Sequence, residues 1–210
     1  MSDLNNELKQ CGKPAGRTGE ELVGKMNDRH FPLITWGLGK APVSETDIIL
    51  DIGCGGGRTI ATLAEKASRG KVYGIDHSED CVRWSKEYNR ALVEAGRVEV
   101  IHSSVEKMPF RDHFFSLVTA VETIYFWPGI VNNLKEVRRV LKPGGKILIV
   151  NEMYLNEKFR EENEKHMATG LLNIYSPEQI GEFLAKAGFQ DISIDLVEEK
   201  NWLRALASTA

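Results

Sequence analysis

The sequence predicts an α/β fold in which a mostly parallel sheet lies between layers of helices, and three observations predict it. Apolar runs of strand length alternate with segments of helical periodicity up to residue 151. The first apolar run ends in a cluster of glycines at positions 53 and 55–57. The second ends in an acid, Asp76. Together these features indicate a β-α-β unit with a ligand site at its switch point.

Short apolar and β-branched runs predict seven strands. The first run is bounded by polar residues and is typical of a fully buried strand. Because strands alternate with helices through the fifth strand, that part of the sheet is predicted to be parallel. The strands are predicted at residues 47–52, 72–76, 98–102, 114–121, 146–151, 189–197 and 200–207.

Four helices between these strands are predicted from apolar residues at helical spacing and from residues typical of helix ends. Ser78 suits the N-cap of the second helix, and Gly96 lies just past its end. Pro128 suits the first turn of the third helix, and Ser176 followed by Pro177 opens the fourth. The helices are predicted at residues 59–66, 78–95, 128–141 and 176–187.

Three regions lie outside this alternation. Residues 1–18 are polar, and we expect them to form a loose arm that orders over the site. Residues 19–41 predict two short helices, broken near Pro32, that cap the carboxyl edge of the sheet. The charged residues 152–173 predict a mostly helical insertion over the site. We expect the arm, the capping helices and this insertion to form a lid.

The glycine cluster narrows the class of ligand. Four glycines in five positions are costly inside a regular element, so the backbone here must turn tightly or admit a ligand closely. The dinucleotide fingerprint needs a glycine where this chain has Arg58. Asp51 is unhelpful beside a pyrophosphate but suits a cationic amino-acid group, and Asp76 is placed to bind ribose hydroxyls. A nucleoside with a ribose diol, no diphosphate and a cationic tail is therefore predicted, and S-adenosylmethionine fits.

With these motifs the chain resembles a class I S-adenosylmethionine-dependent methyltransferase of the small-molecule type, over roughly residues 45–200. The resemblance implies a three-layer Rossmann-like sandwich whose last two strands form an antiparallel pair. It also implies that the turn before the fifth strand, Leu-Lys-Pro-Gly-Gly-Lys, is the one typical of this family. The matching segments are residues 51–57, 72–78, 104–110, 115–118 and 141–146.

The resemblance also implies a set of cofactor-binding residues. Asp51 is expected either to accept a hydrogen bond from the cofactor ammonium or to orient the loop. Ser104 stands where the family usually has an aspartate that bonds the adenine amino group, and Ser116 replaces an acid in the fourth strand. The expected cofactor-binding residues are Asp51, Gly53, Cys54, Gly55, Asp76, His77, Ser104, Val105, Glu106 and Val121.

Three residues are candidates for the catalytic side of the site. Methyl transfer mainly needs an aligned nucleophile and the exclusion of water, so a dedicated base is optional. Glu122 either orients or deprotonates the acceptor, or is a solvated residue or a helix cap. Tyr125, with the two aromatic residues that follow it, either forms an aromatic wall that favours the sulfonium or packs in the core. His30 either reaches the acceptor or packs structurally.

Composition excludes several classes of function. The net charge of −3 does not suggest a nucleic-acid binder. Three widely spaced cysteines give no disulfide framework, which favours a reduced, cytoplasmic setting. No apolar run approaches the ~20 residues needed to span a bilayer, and the N-terminus lacks the apolar core of a secretory signal. No pair of potential ligands has a spacing typical of a metal site, so no metal is expected.

The sequence therefore predicts a methyltransferase that acts on a small-molecule acceptor, without indicating the acceptor atom or the oligomeric state. It divides into an arm with capping helices, residues 1–44, and a cofactor-binding domain, residues 45–210, within one globular unit. Two alternatives stay open. One is a protein that binds the cofactor or S-adenosylhomocysteine without catalysis. The other is a nicotinamide-dependent reductase, against which Arg58 argues.

Overall fold

The computed structural model describes residues 2–210, and those residues form seven strands. Each strand lies within a few residues of its expected position, except that the fifth begins at Leu141, before the predicted turn. The strands are β1 (Ile48–Ile52), β2 (Lys71–Asp76), β3 (Val98–His102), β4 (Phe115–Val121), β5 (Leu141–Asn151), β6 (Gln190–Val197) and β7 (Trp202–Ser208).

The same residues form nine α-helices and two short 3₁₀ turns, at Ile124–Phe126 and Glu198–Lys200. Among residues 2–210, no helix is long and apolar enough to cross a membrane. The helices are α1 (Ser2–Gly12), α2 (Gly16–Arg29), α3 (Phe31–Leu38), α4 (Arg58–Lys66), α5 (Glu79–Tyr88), α6 (Arg90–Glu94), α7 (Ile130–Val140), α8 (Arg160–Met167) and α9 (Pro177–Lys186).

All seven strands belong to one sheet in the order β3-β2-β1-β4-β5-β7-β6. The five strands β1 to β5 pair in parallel. Strand β7 is antiparallel to both β5 and β6, so it alone runs against the others. The strand order reverses between β1 and β4, which is the switch point where such sheets bind ligands. The predicted fold class, including the antiparallel pair at the C-terminal end, is confirmed.

Alternate residues of the central strands enter two separate cores. Leu50 and Ile52 of β1 pack with α7 and α9 on one face of the sheet. Ile49 packs with α3 and α4 on the other face. Because successive side chains of a strand point to opposite faces, a strand that is covered on both faces reads as a continuous apolar run. The continuous apolar runs of the sequence therefore predict these strands.

The N-terminal region differs from expectation. Much of the arm predicted over residues 1–18 is the helix α1, whose Leu8 packs beside Tyr125. The break between the next two helices falls at His30, and Pro32 lies in the first turn of α3, where a missing N–H costs nothing. Helix α3 does not cap the sheet edge. It packs on a face of the sheet, where Gly37 lies so close to Val150 that a Cβ atom would clash.

Other helix boundaries also moved for identifiable reasons. The helix predicted at 78–95 divides at Asn89, whose side-chain amide donates to the carbonyl of Gly57 at 3.0 Å. Helix α7 begins at Ile130 because Gly129 has a left-handed backbone with φ of 68°. The insertion over 152–173 contains only the short α8. Its chain is otherwise irregular.

A buried arginine joins α3 to the last two strands. The Arg204 side chain is 4% exposed, and its Nε donates to Asp195 at 3.1 Å. Its guanidinium also donates to the carbonyl of Trp36 at 3.1 Å and lies 4.8 Å from the centre of that indole ring. Because Arg204 of β7 bonds groups on both β6 and α3, it fixes α3 against the sheet.

Replacing this arginine is expected to destabilise the fold. Arg204→Met keeps an unbranched side chain but removes the bonds to Asp195 and Trp36, so the free energy of unfolding should fall by about 2–4 kcal/mol. Arg160→Met is the matched control, since Arg160 pairs with Glu157 at an exposed site, and a change within about 0.5 kcal/mol is expected there. Urea denaturation measures both. Equal losses in the two variants would contradict the anchoring role.

Candidate functional site

The glycine loop lies at the carboxyl end of β1. The N–H groups of Gly53 and Cys54 donate to the carbonyl of Ile75 at 2.8 and 3.1 Å, which folds the loop over the end of β2. Gly53 has a φ of 71°, and a Cβ atom there would overlap the side chain of Thr123. These positions therefore need glycine for backbone conformation and for close packing.

Asp76 ends β2 and holds the loop in place. Its carboxylate accepts hydrogen bonds from the N–H of Gly55 at 3.0 Å and from the N–H of Ser78 at 2.9 Å. Ser78 caps α5 as predicted, by accepting from the N–H of Cys81 at 3.3 Å. Each carboxylate oxygen keeps an unused lone pair, so Asp76 can accept further bonds from ribose hydroxyls.

The direct-contact alternative for Asp51 is not supported by its position. Asp51 is buried, and its carboxylate accepts a hydrogen bond from the Thr119 hydroxyl at 2.7 Å instead of lining the cavity. Burial raises the pKa of Asp51 to about 7, and the nearby Asp76 adds to the increase. The geometry therefore favours the other alternative, in which Asp51 orients the loop from behind.

A cavity of about 440 Å³, here called the first cavity, opens above the glycine loop at the carboxyl ends of β1, β2 and β4. Its volume is in the range of ordinary small-molecule sites. The other nine predicted cofactor-binding residues all line it: Gly53, Cys54, Gly55, Asp76, His77, Ser104, Val105, Glu106 and Val121.

The N-terminal region covers the first cavity, and the sequence did not indicate which of its residues would do so. Asn27 donates to the carbonyl of Gly56 at 3.2 Å, and a Cβ atom on Gly56 would meet its side chain. The connection between α1 and α2 is fixed to α5, where Ser78 donates to Pro14 at 2.5 Å and the N–H of Gly16 to Asp80 at 2.7 Å. These are tertiary contacts, so local sequence patterns give no signal for them.

A second cavity of about 310 Å³ lies beside the first, between α1, α2 and the 152–173 insertion. Just over half of its described lining residues are apolar, and acidic and basic side chains lie among them. The two cavities share the lining residues Cys11, Met26, His30, Glu122 and Phe126. The wall of the second cavity includes Leu4, Leu8, Leu22, Met153, Phe159 and Leu172.

Glu122 lies at this junction and is held there by its neighbours. It follows β4 with a φ of 59°, a conformation rare for residues other than glycine. Its Oε1 accepts hydrogen bonds from the Tyr125 hydroxyl at 3.1 Å and from the backbone N–H of Glu152. The Glu152 carboxylate pairs in turn with Arg29 at 2.7 Å and His30 at 3.3 Å. Strained backbone of this kind is common at functional sites.

The two carboxylates differ in their electrostatic environment. Burial raises the pKa of Glu122 to about 7, with Glu152 adding to the increase and His30 opposing it. Burial alone would also raise the pKa of Glu152, but hydrogen bonds from His30 and Arg29 outweigh that effect and lower it to about 2. At neutral pH, Glu152 is therefore ionised while Glu122 is close to its titration midpoint.

The cluster of Glu122, Glu152 and His30 bears on the expectation of no metal. One ligand-type atom from each of the three residues lies within 4.8 Å of the others, so the structure brings together groups that are far apart in sequence. Arg29 already bonds Glu152 and supplies a positive charge at the cluster. The absence of a metal stays a prediction.

The three aromatic residues after Glu122 divide between the two cavities. Phe126 and Trp127 line the first cavity, and Trp127 is also part of the core. Tyr125 is buried and faces the second cavity. Burial raises the pKa of Tyr125 well above its usual range, so this side chain is a neutral phenol. Phe126 and Trp127 are therefore placed to contribute to the aromatic wall that was expected to face the sulfonium, and Tyr125 is not.

Comparisons with known proteins identify the class. A family described as methyltransferase domain matches residues 50–149. Cycloartenol-C-24-methyltransferase 1 of Oryza sativa subsp. japonica is 31% identical over 194 residues, which cover 88% of this chain and 55% of the relative. Demethylmenaquinone methyltransferase of Bacillus mycoides is 39% identical over 100 residues, which cover 47% of this chain and 42% of the relative. The chain thus spans about half the length of the curated relatives it matches.

A solved methyltransferase structure has the same fold. A SAM-dependent methyltransferase from Aquifex aeolicus has a TM-score of 0.75 at 22% identity, over 90% of this chain and 97% of that chain. Its similarity shows the fold. Together with the family match over residues 50–149, this shared fold supports a class I S-adenosylmethionine-dependent methyltransferase domain. The cofactor of this class is S-adenosylmethionine, as the glycine loop and the two acids predicted.

The raised pKa of Glu122 predicts a pH dependence of stability. A carboxyl group whose folded pKa exceeds its unfolded value of 4.5 stabilises the fold below that value, and the contribution is lost as the pH rises through about 7. Glu122→Gln keeps an acceptor for Tyr125 but does not ionise. Urea denaturation of the protein without cofactor should show that stability falls less between pH 5 and pH 8.5 in the variant, by about 1–3 kcal/mol. Parallel pH profiles of stability in the two proteins would contradict the raised pKa of Glu122.

Proposed function

We propose that this protein is a methyltransferase that transfers the methyl group of S-adenosylmethionine to a small-molecule acceptor by in-line displacement. The cofactor would occupy the first cavity, and the acceptor would enter the second. The observation that carries the proposal is the junction at Glu122, where two cavities share a wall at the carboxyl end of β4. A methyl group at that junction would face the acceptor and not bulk solvent.

Residues 45–210 would supply the cofactor site. In this proposal Asp76 accepts hydrogen bonds from the ribose hydroxyls, since its carboxylate lies in the wall of the first cavity. The adenine would lie against residues 104–106, which line the same cavity. The glycine loop at residues 53–55 would approach the amino-acid part, and Asp51 would hold that loop through Thr119.

Residues 1–44 and 152–173 would form the lid. Helices α1 and α2 already cover both cavities, and the 152–173 insertion contributes Met153, Phe159 and Leu172 to the second. For the cofactor or acceptor to enter, contacts such as that between Ser78 and Pro14 would have to open. Closure over the site would exclude water. Efficient use of the cofactor in methyl transfer requires this exclusion.

The apolar wall of the second cavity indicates an acceptor with an apolar body. The Oryza relative named above is a cycloartenol methyltransferase, and the Bacillus relative acts on demethylmenaquinone. Both names indicate largely apolar acceptors. Because this chain covers only about half of each relative, the shared property we carry over is an apolar small molecule and not either compound.

Two rival functions predict different results in binding and turnover experiments. A non-catalytic binding protein is favoured by one observation, the serine at position 104 where the family usually has an acid. Such a protein would bind the cofactor without releasing S-adenosylhomocysteine, whereas the proposed enzyme releases it when an acceptor is added. The family match argues against a reductase, which would bind NADH in place of the sulfonium cofactor.

Calorimetric titration with S-adenosylmethionine, S-adenosylhomocysteine and NADH is expected to give micromolar binding of the first two and none of NADH. Asp76→Ala should weaken binding of both by ~1.5–3 kcal/mol, the range for a lost hydrogen bond to a charged group. Asp76→Asn leaves one side-chain oxygen in place of two, so it can accept from only one of the Gly55 and Ser78 N–H groups, and binding should weaken there as well. Asp112→Ala is the matched control, because Asp112 forms an exposed ion pair with Arg139 remote from the cavities.

Three results would contradict the proposal. Unchanged affinity in Asp76→Ala would refute the ribose assignment. Binding of NADH alone would support the reductase. Cofactor binding with no release of S-adenosylhomocysteine, across acceptors of every nucleophile class, would support the non-catalytic protein.

A further inference from the structure

We propose that the acceptor is an amine, whose ammonium group binds between Glu122 and Glu152, and that Glu122 removes its proton before methyl transfer. Glu122 is then a catalytic residue, while Glu152, Arg29 and His30 position the acceptor nitrogen. This inference rests on the function proposed above, because it identifies the chemical class of molecule that the second cavity admits.

The hydrogen bonds of the cluster leave two oxygen atoms available. Within residues 4–210, the donors to Glu122 use only its Oε1, and the donors to Glu152 use only its Oε2. Each carboxylate therefore keeps its other oxygen as an acceptor. An ammonium group carries three N–H donors and no acceptor, so it matches two neighbouring carboxylates. A hydroxyl group, with one donor, satisfies only one of them.

The charges around Glu122 also favour a cation. Glu152 is ionised at neutral pH, and Arg29 offsets only one of the two carboxylates. Burial raises the pKa values of Cys11 on α1 and of Tyr125, so both face the cluster as neutral groups. His30 lies close to both acids, with one ring nitrogen within 4.8 Å of an oxygen of each. The charged groups elsewhere in the wall of the second cavity are Glu7, Glu162, His166 and Lys200.

An anionic acceptor would be disfavoured by the same charges. A phenolate, thiolate or carboxylate would carry its negative charge toward two carboxylates, and like charges at this distance repel strongly in a partly buried site. Methylation of such an anion also removes charge at the acceptor atom. Methylation of a neutral amine instead moves the positive charge from sulfur to nitrogen, where Glu152 stabilises it.

The reaction balances without any other reactant. The ammonium N–H bond breaks, and its proton passes to the free oxygen of Glu122. The nitrogen lone pair then attacks the methyl carbon, the N–C bond forms, and the S–C bond breaks with its electron pair going to sulfur. The products are a methylammonium ion and S-adenosylhomocysteine. Glu122 releases its proton to solvent when the second cavity opens.

The test compares amines with alcohols of the same shape. Calorimetry on the protein saturated with S-adenosylhomocysteine uses 2-phenylethylamine and tryptamine against 2-phenylethanol and tryptophol. The amines are expected to bind at least about tenfold more tightly, the effect of one hydrogen bond to a charged group. With S-adenosylmethionine in place of the product, the amines should be methylated on nitrogen, as mass spectrometry detects, and the alcohols should not.

Variants test whether the preference for amines depends on the cluster of Glu122, Glu152 and His30. Glu122→Gln should lower amine affinity by roughly tenfold to a hundredfold, a clearly larger loss than any loss of S-adenosylhomocysteine affinity in the same variant. Glu182→Gln, on the exposed face of α9 where Glu182 pairs with Lys186, is the control and should change neither. In the unmodified protein, amine affinity should rise with pH through about 7, as Glu122 ionises. Thermal unfolding checks that each variant is folded.

Several outcomes would overturn the inference. Alcohols binding as tightly as amines, an amine affinity unaffected by Glu122→Gln, or methylation only of phenols, thiols or alkenes would each refute the amine assignment. Turnover that needs a divalent cation and is abolished by EDTA would assign the cluster to a metal instead. If S-adenosylhomocysteine itself does not bind, the proposed function fails before the amine question arises, so the two failures are distinguishable.

Discussion

The hydrogen bonds of the Asp76 carboxylate are the interaction on which the rest of the site depends. One oxygen fixes the glycine loop through Gly55, and the other fixes Ser78 at the start of α5. Ser78 in turn bonds Pro14, which holds the connection between α1 and α2 over the first cavity. A single buried acid at the end of β2 therefore orders the loop, a helix N-terminus and the cover of the cavity. Because Asp76 also lines that cavity, a ligand that bonded its carboxylate would act on the same group that holds this cover in place.

The second cavity is governed by a different constraint, the cost of placing two acids side by side. Burying Glu122 raises its pKa, and Glu152 increases that effect, so the fold is less stable with both ionised. Arg29 and His30 pair with Glu152, and His30 offsets only part of the increase at Glu122. The left-handed backbone of Glu122 adds further strain. Local conflicts of this kind persist where they serve a site, and a bound cation would relieve both the charge and the desolvation.

The sequence predicted the sheet and much of the cofactor site because both are encoded locally. Strands buried on two faces are continuous apolar runs, and cofactor-binding residues follow directly after them. Arg29 and Glu152 could not be found in this way, since their pairing joins residues 123 positions apart. The loose arm expected at residues 1–18 was wrong because α1 is stabilised by packing against Tyr125 and its neighbours, and not by its own apolar content. Asp51 lies near the predicted end of the first strand, but its carboxylate bonds Thr119 and does not line the first cavity.

The bounds of the family match explain why we infer the acceptor mainly from the second cavity of this chain. The family match covers residues 50–149, which include the glycine loop, Asp76 and Glu122. It excludes α1, α2 and the 152–173 insertion, which supply most of the wall of the second cavity together with Arg29, His30 and Glu152. In the proposed function the acceptor would therefore contact segments outside the matched domain as well as Glu122, Tyr125 and Phe126 within it. A common cofactor chemistry could thus be combined with different acceptors, because much of the charge and shape of the second cavity comes from residues outside the matched domain.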